Sequence, residues 1–332
     1  MSASYYEDDL VTLLHGDALV MARTIGSGTV QTIVTSPPYF GLRDYGEVGQ
    51  MGAEETVDGY VTGMVGLFSE LRRTLAHDGT LWLNIGDSYG GNTSIGRNDA
   101  GRNFTGGGGN KQGSGNPGKQ GSRIASGAPK NLIGVPWRVA LALQADGWIL
   151  RSDIIWAKPN PMPESVTDRP TKSHEYLFLL AKSPRYYYDA DAIREQHAET
   201  SISRQASSRR NPSAPGKAAG APGQSAQGGF SKGLRELNSK GANKRTVWQV
   251  PTVSFTEAHF ATYPPELIRP CILAGSRIGD TVLDPFSGSG TTGMVATEEG
   301  RKYIGIDLNS DYLNLSLRTR FAQPVLNFGD IA

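Results

Sequence analysis

Cysteine is nearly absent from this sequence, which has 332 residues and a single Cys271. One cysteine excludes an internal disulfide framework and a cysteine-based zinc site, and it is typical of a reducing compartment. Long apolar runs are lacking too, because the longest, such as YLFLLA at 176–181, are far too short to span a bilayer. The first residues, MSASYYEDD, lack the basic start and apolar core of a signal peptide. We therefore expect a cytoplasmic protein with no membrane partner.

Metal-ligand patterns are missing as well. Four of the five histidines, at positions 15, 77, 174 and 197, show no ligand spacing, so we predict no metal site. Cys271 lies within ELIRPCILAG, whose pattern indicates a helix, and a cysteine there is typically a small buried apolar residue. A thiol nucleophile is therefore not predicted.

Neither sign of charge is in excess overall, because the formal net charge is +1. The charge is nevertheless segregated: residues 92–130 carry six Lys/Arg against one acidic residue, and residues 194–246 carry ten against three. Both segments are poor in apolar residues, so we predict a flexible basic insertion over 90–130 and a segment at 194–246 that is partly disordered without its partner. Basic segments favour polyanions such as nucleic acids, although solvated linkers have the same composition.

Outside those segments, apolar runs of strand length alternate with helical patterns. We predict strands within 11–19 (ending at Gly16-Asp17) and at 30–36, 80–88, 152–159, 175–183, 280–286 and 302–308, with an edge strand in RYYYDADAI. The predicted helices are 57–77 (ending at Gly79), 135–148, 264–275, 289–300 and 309–320. This alternation predicts an α/β fold with a mainly parallel sheet flanked by helices.

A glycine-rich turn follows one of these strands, in VLDPFSGSGTTGMVA at 282–296. Gly288 and Gly290 allow a ligand to approach the backbone, and the helix that follows offers unpaired N–H groups. Asp307 comes 23 residues after Asp284, at the tip of the next strand. A carboxylate there can accept hydrogen bonds from the ribose hydroxyls of a nucleoside. The pattern predicts a nucleoside site, although an ordinary turn also uses glycine.

Asp284 bears on the choice of cofactor. The loop lacks the third glycine of G-x-G-x-x-G, and it places a carboxylate where a pyrophosphate would be repelled. A cationic amine or sulfonium would be attracted instead. S-adenosylmethionine (AdoMet) carries both groups, so it suits this loop better than NAD.

The second unusual motif is TSPPYFG, after the strand at 30–36. Two prolines end the hydrogen-bond pairing of the strand, because proline has no backbone N–H, and they fix a rigid corner, because the φ angle of proline is restricted. Ser36-Pro37-Pro38-Tyr39 together with DPFSGSGTT resembles the AdoMet-dependent DNA amino-methyltransferases. The order of the motifs, corner first and glycine loop last, resembles their permuted β class. The resemblance extends over GD at 16–17, 70–88, WAKPNPMPESVTDRPTKSHEYLFLLAKS at 156–183, and HFATYPPELI at 259–268.

This resemblance implies a Rossmann-like methyltransferase fold, one permuted catalytic domain over 1–332, and target recognition by 194–246. It implies that the Ser36 hydroxyl and the Pro37 carbonyl hold an exocyclic amine, with Pro38 fixing the corner and Tyr39 stacking on a flipped base. The implied AdoMet-binding residues are Asp17, Asp284, Phe286, Gly288, Gly290, Thr291, Thr292, Asp307, His259 and Tyr263. The implied contacts to double-stranded DNA come from Arg43, Lys158, Arg204, Arg209, Arg210, Arg235 and Arg245.

The target base is left with two alternatives. In the family, Ser-Pro-Pro-Tyr mostly accompanies N4-cytosine enzymes and Asp-Pro-Pro-Tyr accompanies N6-adenine enzymes. A serine hydroxyl can also donate, so Ser36 could meet the N3 acceptor of cytosine. We therefore predict N4-cytosine, with N6-adenine as the alternative and a nicotinamide-dependent oxidoreductase or a non-catalytic DNA-binding module as distant alternatives.

The resemblance is compatible with a bacterial, archaeal or phage setting. It is also compatible with a separate cognate restriction endonuclease and with a homodimer.

Overall fold

Nine strands share one mixed sheet in the part of the chain that the structure describes. The computed structural model describes residues 4–41, 49–90, 92–94, 123–125, 128–203, 237–253 and 263–321. In chain order the strands are β1 (Tyr6–Glu7), β2 (Val11–His15), β3 (Val30–Thr35), β4 (Leu75–Ile85), β5 (Asn92–Ser94), β6 (Arg123–Ala125), β7 (Ile149–Ala157), β8 (His174–Ala181), β9 (Val247–Gln249), β10 (Thr281–Asp284) and β11 (Lys302–Asp307). The order across the sheet is β1-β2-β11-β10-β3-β4-β8-β7-β9, and β5 pairs with β6 alone.

The centre of the sheet is parallel, as the alternation of strands and helices predicts. Strands β2, β11, β10, β3 and β4 run in the same direction. Strand β8 is antiparallel to both of its neighbours, β4 and β7, and β1 is an antiparallel edge. The predicted α/β architecture, a mainly parallel sheet flanked by helices, is confirmed, and the antiparallel pairs in this sheet involve β1 and β8.

Helices of this sheet-bearing region form two groups. One group consists of α1 (Ala18–Ala22), α2 (Val57–Thr74) and α3 (Val135–Ala145), which contact one another in turn. The other contains α4 (Pro265–Gly275), which packs on α5 (Thr291–Glu298), and α6 (Ser310–Ser316), which leads into a π-helical turn at Leu317–Phe321. None of the described helices is long and apolar enough to cross a membrane.

Helix α2 shows how local sequence and burial cooperate. Thr56 caps its first turn, with the side-chain oxygen accepting a hydrogen bond from the Gly59 N–H at 3.0 Å. Residues at helical spacing form one buried stripe, which comprises Tyr60, Met64, Leu67, Phe68 and Leu71. These side chains belong to the same apolar core as those of β3 and β4, so the helix covers the sheet beside the β3 terminus.

The end of α2 differs from the prediction. The helix ends at Thr74 rather than near Gly79, and β4 starts immediately, with Leu75 pairing with Val30. A Cβ at Gly79 would lie 3.0 Å from the Gln31 carbonyl oxygen. Gly79 therefore allows two strands to approach closely where their register is irregular, and it does not stop the helix.

The predicted edge strand in RYYYDADAI is wrong. This stretch ends in a 3₁₀ turn at Asp191–Ile193, because the Asp189 carboxylate accepts hydrogen bonds from two N–H groups that a strand would use for pairing. The sheet edge is formed instead by β9, which was not predicted and pairs parallel with β7. Its three residues include the buried Trp248.

The chain divides into two compact units. Residues 1–188 and 246–332 form the unit with the sheet, and residues 189–245 form the second. Described parts of the second unit are joined by ion pairs of Asp191 with Arg194 and Lys240, and of Glu195 with Lys244 and Arg245. Most of the predicted insertion at 90–130 lies outside the described residues, apart from the antiparallel pair of β5 and β6 and the residues next to it.

The sheet has a switch point between β3 and β10. From β3 the chain passes through α2 to β4 on one side, and from β10 it passes through α5 to β11 on the other. The two connections diverge, which leaves a crevice beyond the carboxyl ends of the two strands. The proline corner follows β3 and the glycine loop follows β10, so the topology brings both motifs to this crevice.

Candidate active site

Helix α2 supports the proline corner. The Tyr60 hydroxyl donates a hydrogen bond to the Pro38 carbonyl oxygen at 2.9 Å. The ring of Tyr39 packs on the end of β4, where a Cβ at Gly86 would lie 2.5 Å from a ring carbon. Gly86 was not identified from sequence, although NIGDS carries a glycine at the end of a predicted strand, which is a signal of close backbone approach.

The Tyr39 hydroxyl is the centre of a polar network. It donates to Glu175 Oε2 at 2.6 Å and lies 3.2 Å from Asn84 Oδ1. The Ser36 hydroxyl donates to it at 3.4 Å. Burial, and then the negative charge of Glu175, hold the pKa of Tyr39 well above its usual value, so the tyrosine stays protonated.

Lys158 belongs to the same network. Its ammonium forms an ion pair with Glu175 Oε1 and lies 4.2 Å from the ring centroid of Trp156. The Lys158 and Glu175 side chains are only 18% and 15% exposed. The ion pair shows that Lys158 is not a solvated strand end, whereas its contact with a DNA phosphate stays a prediction.

The glycine loop places Asp307 at the tip of β11. Gly288 has a φ of +51°, and its N–H donates to Asp307 Oδ2 at 2.7 Å. The Asn309 N–H donates to Oδ1 at 2.9 Å. Burial raises the pKa of Asp307 to about 6 in spite of these two donors. A ribose-binding carboxylate at this tip is what the sequence predicts.

Asp284 is buried behind the loop rather than directed into the crevice. Its carboxylate accepts hydrogen bonds from Thr35 Oγ1 at 2.6 Å, Thr292 Oγ1 at 2.7 Å, Tyr263 Oη at 3.0 Å and the Phe286 N–H at 3.0 Å. Burial raises the pKa of Asp284 above its usual range. Four donors of the protein itself thus surround Asp284, which does not line the cavity, and its contact with a cationic cofactor stays a prediction.

Two further predicted cofactor residues support the loop from the same side. Gly290 has a φ of +77°, and a Cβ there would lie 2.8 Å from the Ser316 Cβ. Thr292 is fully buried in the first turn of α5. Neither of them lines the crevice: both shape the loop, and their contact with the cofactor stays a prediction.

A cavity of about 460 Å³ joins the corner to the glycine loop. The predicted residues that line it are Ser36, Pro37, Pro38, Tyr39, Asp17, Phe286, Gly288, Thr291, Asp307, Tyr263 and Lys158. Lining residues that sequence reasoning missed include Asn84, Trp156, Glu175, Thr252 and Tyr312. Asn84, Trp156 and Glu175 lie on β4, β7 and β8, whose adjacency no local pattern reveals.

Asp17 lies at the rim of this cavity. Its carboxylate caps the short α1, accepting a hydrogen bond from the Val20 N–H at 2.9 Å. Its neighbour in space is the loop after β11, because the Gly16 N–H donates to the Asp307 carbonyl oxygen at 2.9 Å. The structure thus brings together the two acids, Asp17 and Asp307, that the sequence assigned to one ligand.

Several predicted residues cannot be placed. Arg43, Arg204, Arg209, Arg210, Arg235 and His259 lie outside the described residues. Arg245 lies in the second unit, where it pairs with Glu195 at 3.0 Å. Across the described ranges, no group of three or more His, Cys, Asp or Glu side chains is arranged to hold a metal ion. Cys271 is buried in α4, as predicted.

Comparison with known proteins gives the family. A family model described as DNA methylase, for N6 and N4 amino-methyltransferases, matches residues 30–318. The chain belongs to this family. It is a DNA methyltransferase, and the match decides against the oxidoreductase and the non-catalytic binding module.

A curated relative agrees with this assignment, and two solved structures share the fold. The type II methyltransferase M.Cfr9I of Citrobacter freundii is 46% identical to this methyltransferase over 315 residues, covering 92% of this chain and 86% of the relative. The solved PvuII DNA methyltransferase, titled cytosine-N4-specific, has a TM-score of 0.61 at 17% identity and covers 99% of this chain and 90% of its own. A DNA modification methylase of Thermus thermophilus, solved with AdoMet, has a TM-score of 0.54 at 18% identity and covers 95% and 96%.

The packing of Tyr39 on Gly86 leads to a first prediction. In Gly86→Ala the new methyl group displaces the ring, because a Cβ cannot lie 2.5 Å from a ring carbon, and the hydroxyl loses its position beside Glu175. We expect methyl incorporation into DNA to fall at least about tenfold. Gly63→Ala on α2 is the matched control, because its Cβ has no described neighbour closer than 3.8 Å. Equal activity in the two variants would contradict the assigned packing.

Proposed function

We propose that this methyltransferase transfers the methyl group of AdoMet to the exocyclic N4 of a flipped cytosine in duplex DNA. One observation carries the proposal: the Ser36–Tyr39 corner and the Gly288–Asp307 loop line a single cavity. A cofactor in the loop and a base at the corner would therefore meet inside it. A base paired in a duplex is out of reach of such a cavity, so the target must leave the stack.

The residues at the loop fit AdoMet. Gly288 leaves space for a ligand, since a Cβ added there would lie 3.9 Å from the Phe286 carbonyl oxygen, its nearest neighbour among the described residues. Asp307 keeps acceptor capacity for ribose hydroxyls beside its two backbone donors. Phe286 and Tyr312 offer rings to the adenine, and Asp17 offers a carboxylate to the cationic end. When bound, AdoMet supplies an electrophilic methyl group on its sulfonium.

The corner prepares the amine to react. The lone pair of an exocyclic amine is delocalised into the ring, so the amine is a weak nucleophile in the free base. The Ser36 hydroxyl oxygen and the Pro37 carbonyl, accepting its two N–H bonds, favour a tetrahedral nitrogen and a localised lone pair. Tyr60 holds the Pro38 carbonyl, which leaves the corner rigid before the base arrives. Tyr39 presents its ring beneath the base.

The choice of cytosine rests on Ser36 at the first position of the motif, and the N4-cytosine title of the PvuII relative supports it. The hydroxyl proton of Ser36 points inward to Tyr39, so Ser36 meets the base as an acceptor, and the predicted donation to cytosine N3 adds no support. N6-adenine is the alternative, because the same two acceptors fit either amine. We further propose that residues 194–246 recognise the target sequence, with Arg43 and the arginines at 204–245 on the DNA backbone.

Nucleoside mass spectrometry tests the target base. DNA from cells that express the chain in a methylation-deficient host would be digested to nucleosides and analysed for both products. We expect N4-methylcytosine, absent from cells with the empty vector. N6-methyladenine in its place would establish the alternative. If neither modified base is detected, the proposed function is overturned.

The raised pKa of Asp307 leads to a prediction of how AdoMet binding depends on pH. The ribose hydroxyls favour the ionised carboxylate, whose pKa in the free protein is about 6. Binding is therefore strongest above pH 7 and weakens as the pH falls through 6, by at most about tenfold per pH unit. Calorimetric titrations with AdoMet at pH 5 to 8 would measure this slope.

Asp307→Asn removes the titrating group. We expect AdoMet affinity at pH 8 to fall by about 10- to 100-fold, since hydrogen bonds to a charged acceptor are lost, and the slope near pH 6 to disappear. Asp58→Asn, at an exposed acid of α2, should keep both the affinity and the slope. An unchanged slope in Asp307→Asn would remove Asp307 from the ribose site.

A further inference from the structure

Glu175 lies at the end of a chain of hydroxyl groups that starts at the amine-binding corner. Ser36 Oγ donates to Tyr39 Oη at 3.4 Å, and Tyr39 Oη donates to Glu175 Oε2 at 2.6 Å. Both hydroxyl protons therefore point away from the place of the amine and toward the carboxylate. The Ser36 oxygen keeps its lone pairs for the N–H groups of the base.

The reaction leaves a proton that needs an acceptor. When the amine nitrogen bonds to the methyl carbon, it still carries two hydrogens and a positive charge, and one proton must depart. Three carboxylates line the described part of the cavity: Asp17, Glu175 and Asp307. Asp17 caps α1, and Asp307 holds Gly288 and Asn309 at the cofactor end. Glu175 is the carboxylate joined to Ser36 through hydroxyl groups.

We propose that Glu175 is the terminal proton acceptor of methyl transfer, reached from the amine through Ser36 and Tyr39. As the N–C bond forms and the C–S bond of the donor breaks, the amine proton passes to Ser36 Oγ. The serine proton then passes to Tyr39 Oη, and the tyrosine proton passes to Glu175 Oε2. The positive charge of the sulfonium and the negative charge of the carboxylate both disappear, so charge and atoms balance. This inference rests on the proposed function.

The surroundings of Glu175 suit this role. Lys158 pairs with the other carboxylate oxygen, Oε1, which leaves Oε2 to Tyr39 and the Asn84 amide, 3.3 Å away. Lys172 is the second cation near Glu175; burial lowers its pKa, and its ammonium donates to the Asp87 carbonyl oxygen at 2.6 Å. The high pKa of Tyr39 keeps a proton on the relay between turnovers.

Glu175→Gln and Tyr39→Phe each break the relay while keeping the size of the side chain. Single-turnover transfer of tritiated methyl groups to unmethylated genomic DNA would be measured together with the AdoMet dissociation constant. We expect each variant to lose about 100-fold in rate with AdoMet affinity within twofold of the parent. The double variant should be no slower than the slower single variant, because both interrupt one path.

Glu164→Gln is the matched control. Glu164 pairs with Arg169 at 2.7 Å, on the connection between β7 and β8 that precedes Glu175, and it does not line the cavity. We expect the parental rate for this control. A parental rate in Glu175→Gln or in Tyr39→Phe would overturn the relay. If the parent protein itself does not methylate DNA, the proposed function fails rather than this inference.

Chemical rescue separates a proton acceptor from a packing role. Glu175→Ala leaves space beside Lys158 and Tyr39 for a small molecule. Added formate should raise the methyl-transfer rate of this variant at least tenfold, whereas formamide, of the same shape but not basic, should not. Equal rescue by both molecules, or rescue by neither with AdoMet binding intact, would show that Glu175 acts through its packing alone.

Discussion

A buried carboxylate holds the two halves of the site together. Asp284 ends β10, and it accepts a hydrogen bond from Thr35, the last residue of β3, immediately before the proline corner. The same carboxylate fixes the start of the glycine loop through the Phe286 N–H and the first turn of α5 through Thr292. Contacts to one side chain thus set the spacing between the proline corner and the glycine loop, and removing that side chain would leave four donors without their acceptor.

The sheet topology makes this contact possible. Strands β3 and β10 are parallel neighbours whose onward connections diverge, so a crevice opens at their carboxyl ends. Each motif needs only to follow its own strand, and the cavity forms between them. The opposite wall comes from β4, β7 and β8, which supply Asn84, Trp156 and Glu175. The antiparallel β8 is what brings Glu175 across from Trp156 and within reach of Tyr39.

Sequence reasoning succeeded where the information is local. A buried strand, a glycine turn, a helix and an acid at the next strand tip are read from consecutive residues, and Gly288 and Asp307 meet in the structure as the pattern predicts. The proline corner is equally local, because Ser36-Pro37-Pro38-Tyr39 is one contiguous segment. The family resemblance followed from these two motifs and was confirmed by the family match.

Sequence reasoning failed where the information is non-local. For Lys158 the sequence left a DNA phosphate or a solvated strand end open, and it did not reveal the partner Glu175, which is 17 residues away on an antiparallel neighbour. Nor does the sequence reveal that Asp284 accepts hydrogen bonds from Thr35 and Tyr263, which are 249 and 21 residues away. The end of α2 was misplaced, since Gly79 serves the pairing of β4 with β3 rather than the helix.

The central claim is that Ser36 holds the target amine in a cavity shared with the cofactor loop. Ser36→Ala tests it most directly, in a single-turnover methylation assay paired with calorimetric titration of AdoMet. The account predicts that AdoMet affinity stays within twofold of the parent while the rate of methyl transfer falls at least about 100-fold. Methyl transfer at the parental rate by Ser36→Ala would contradict it.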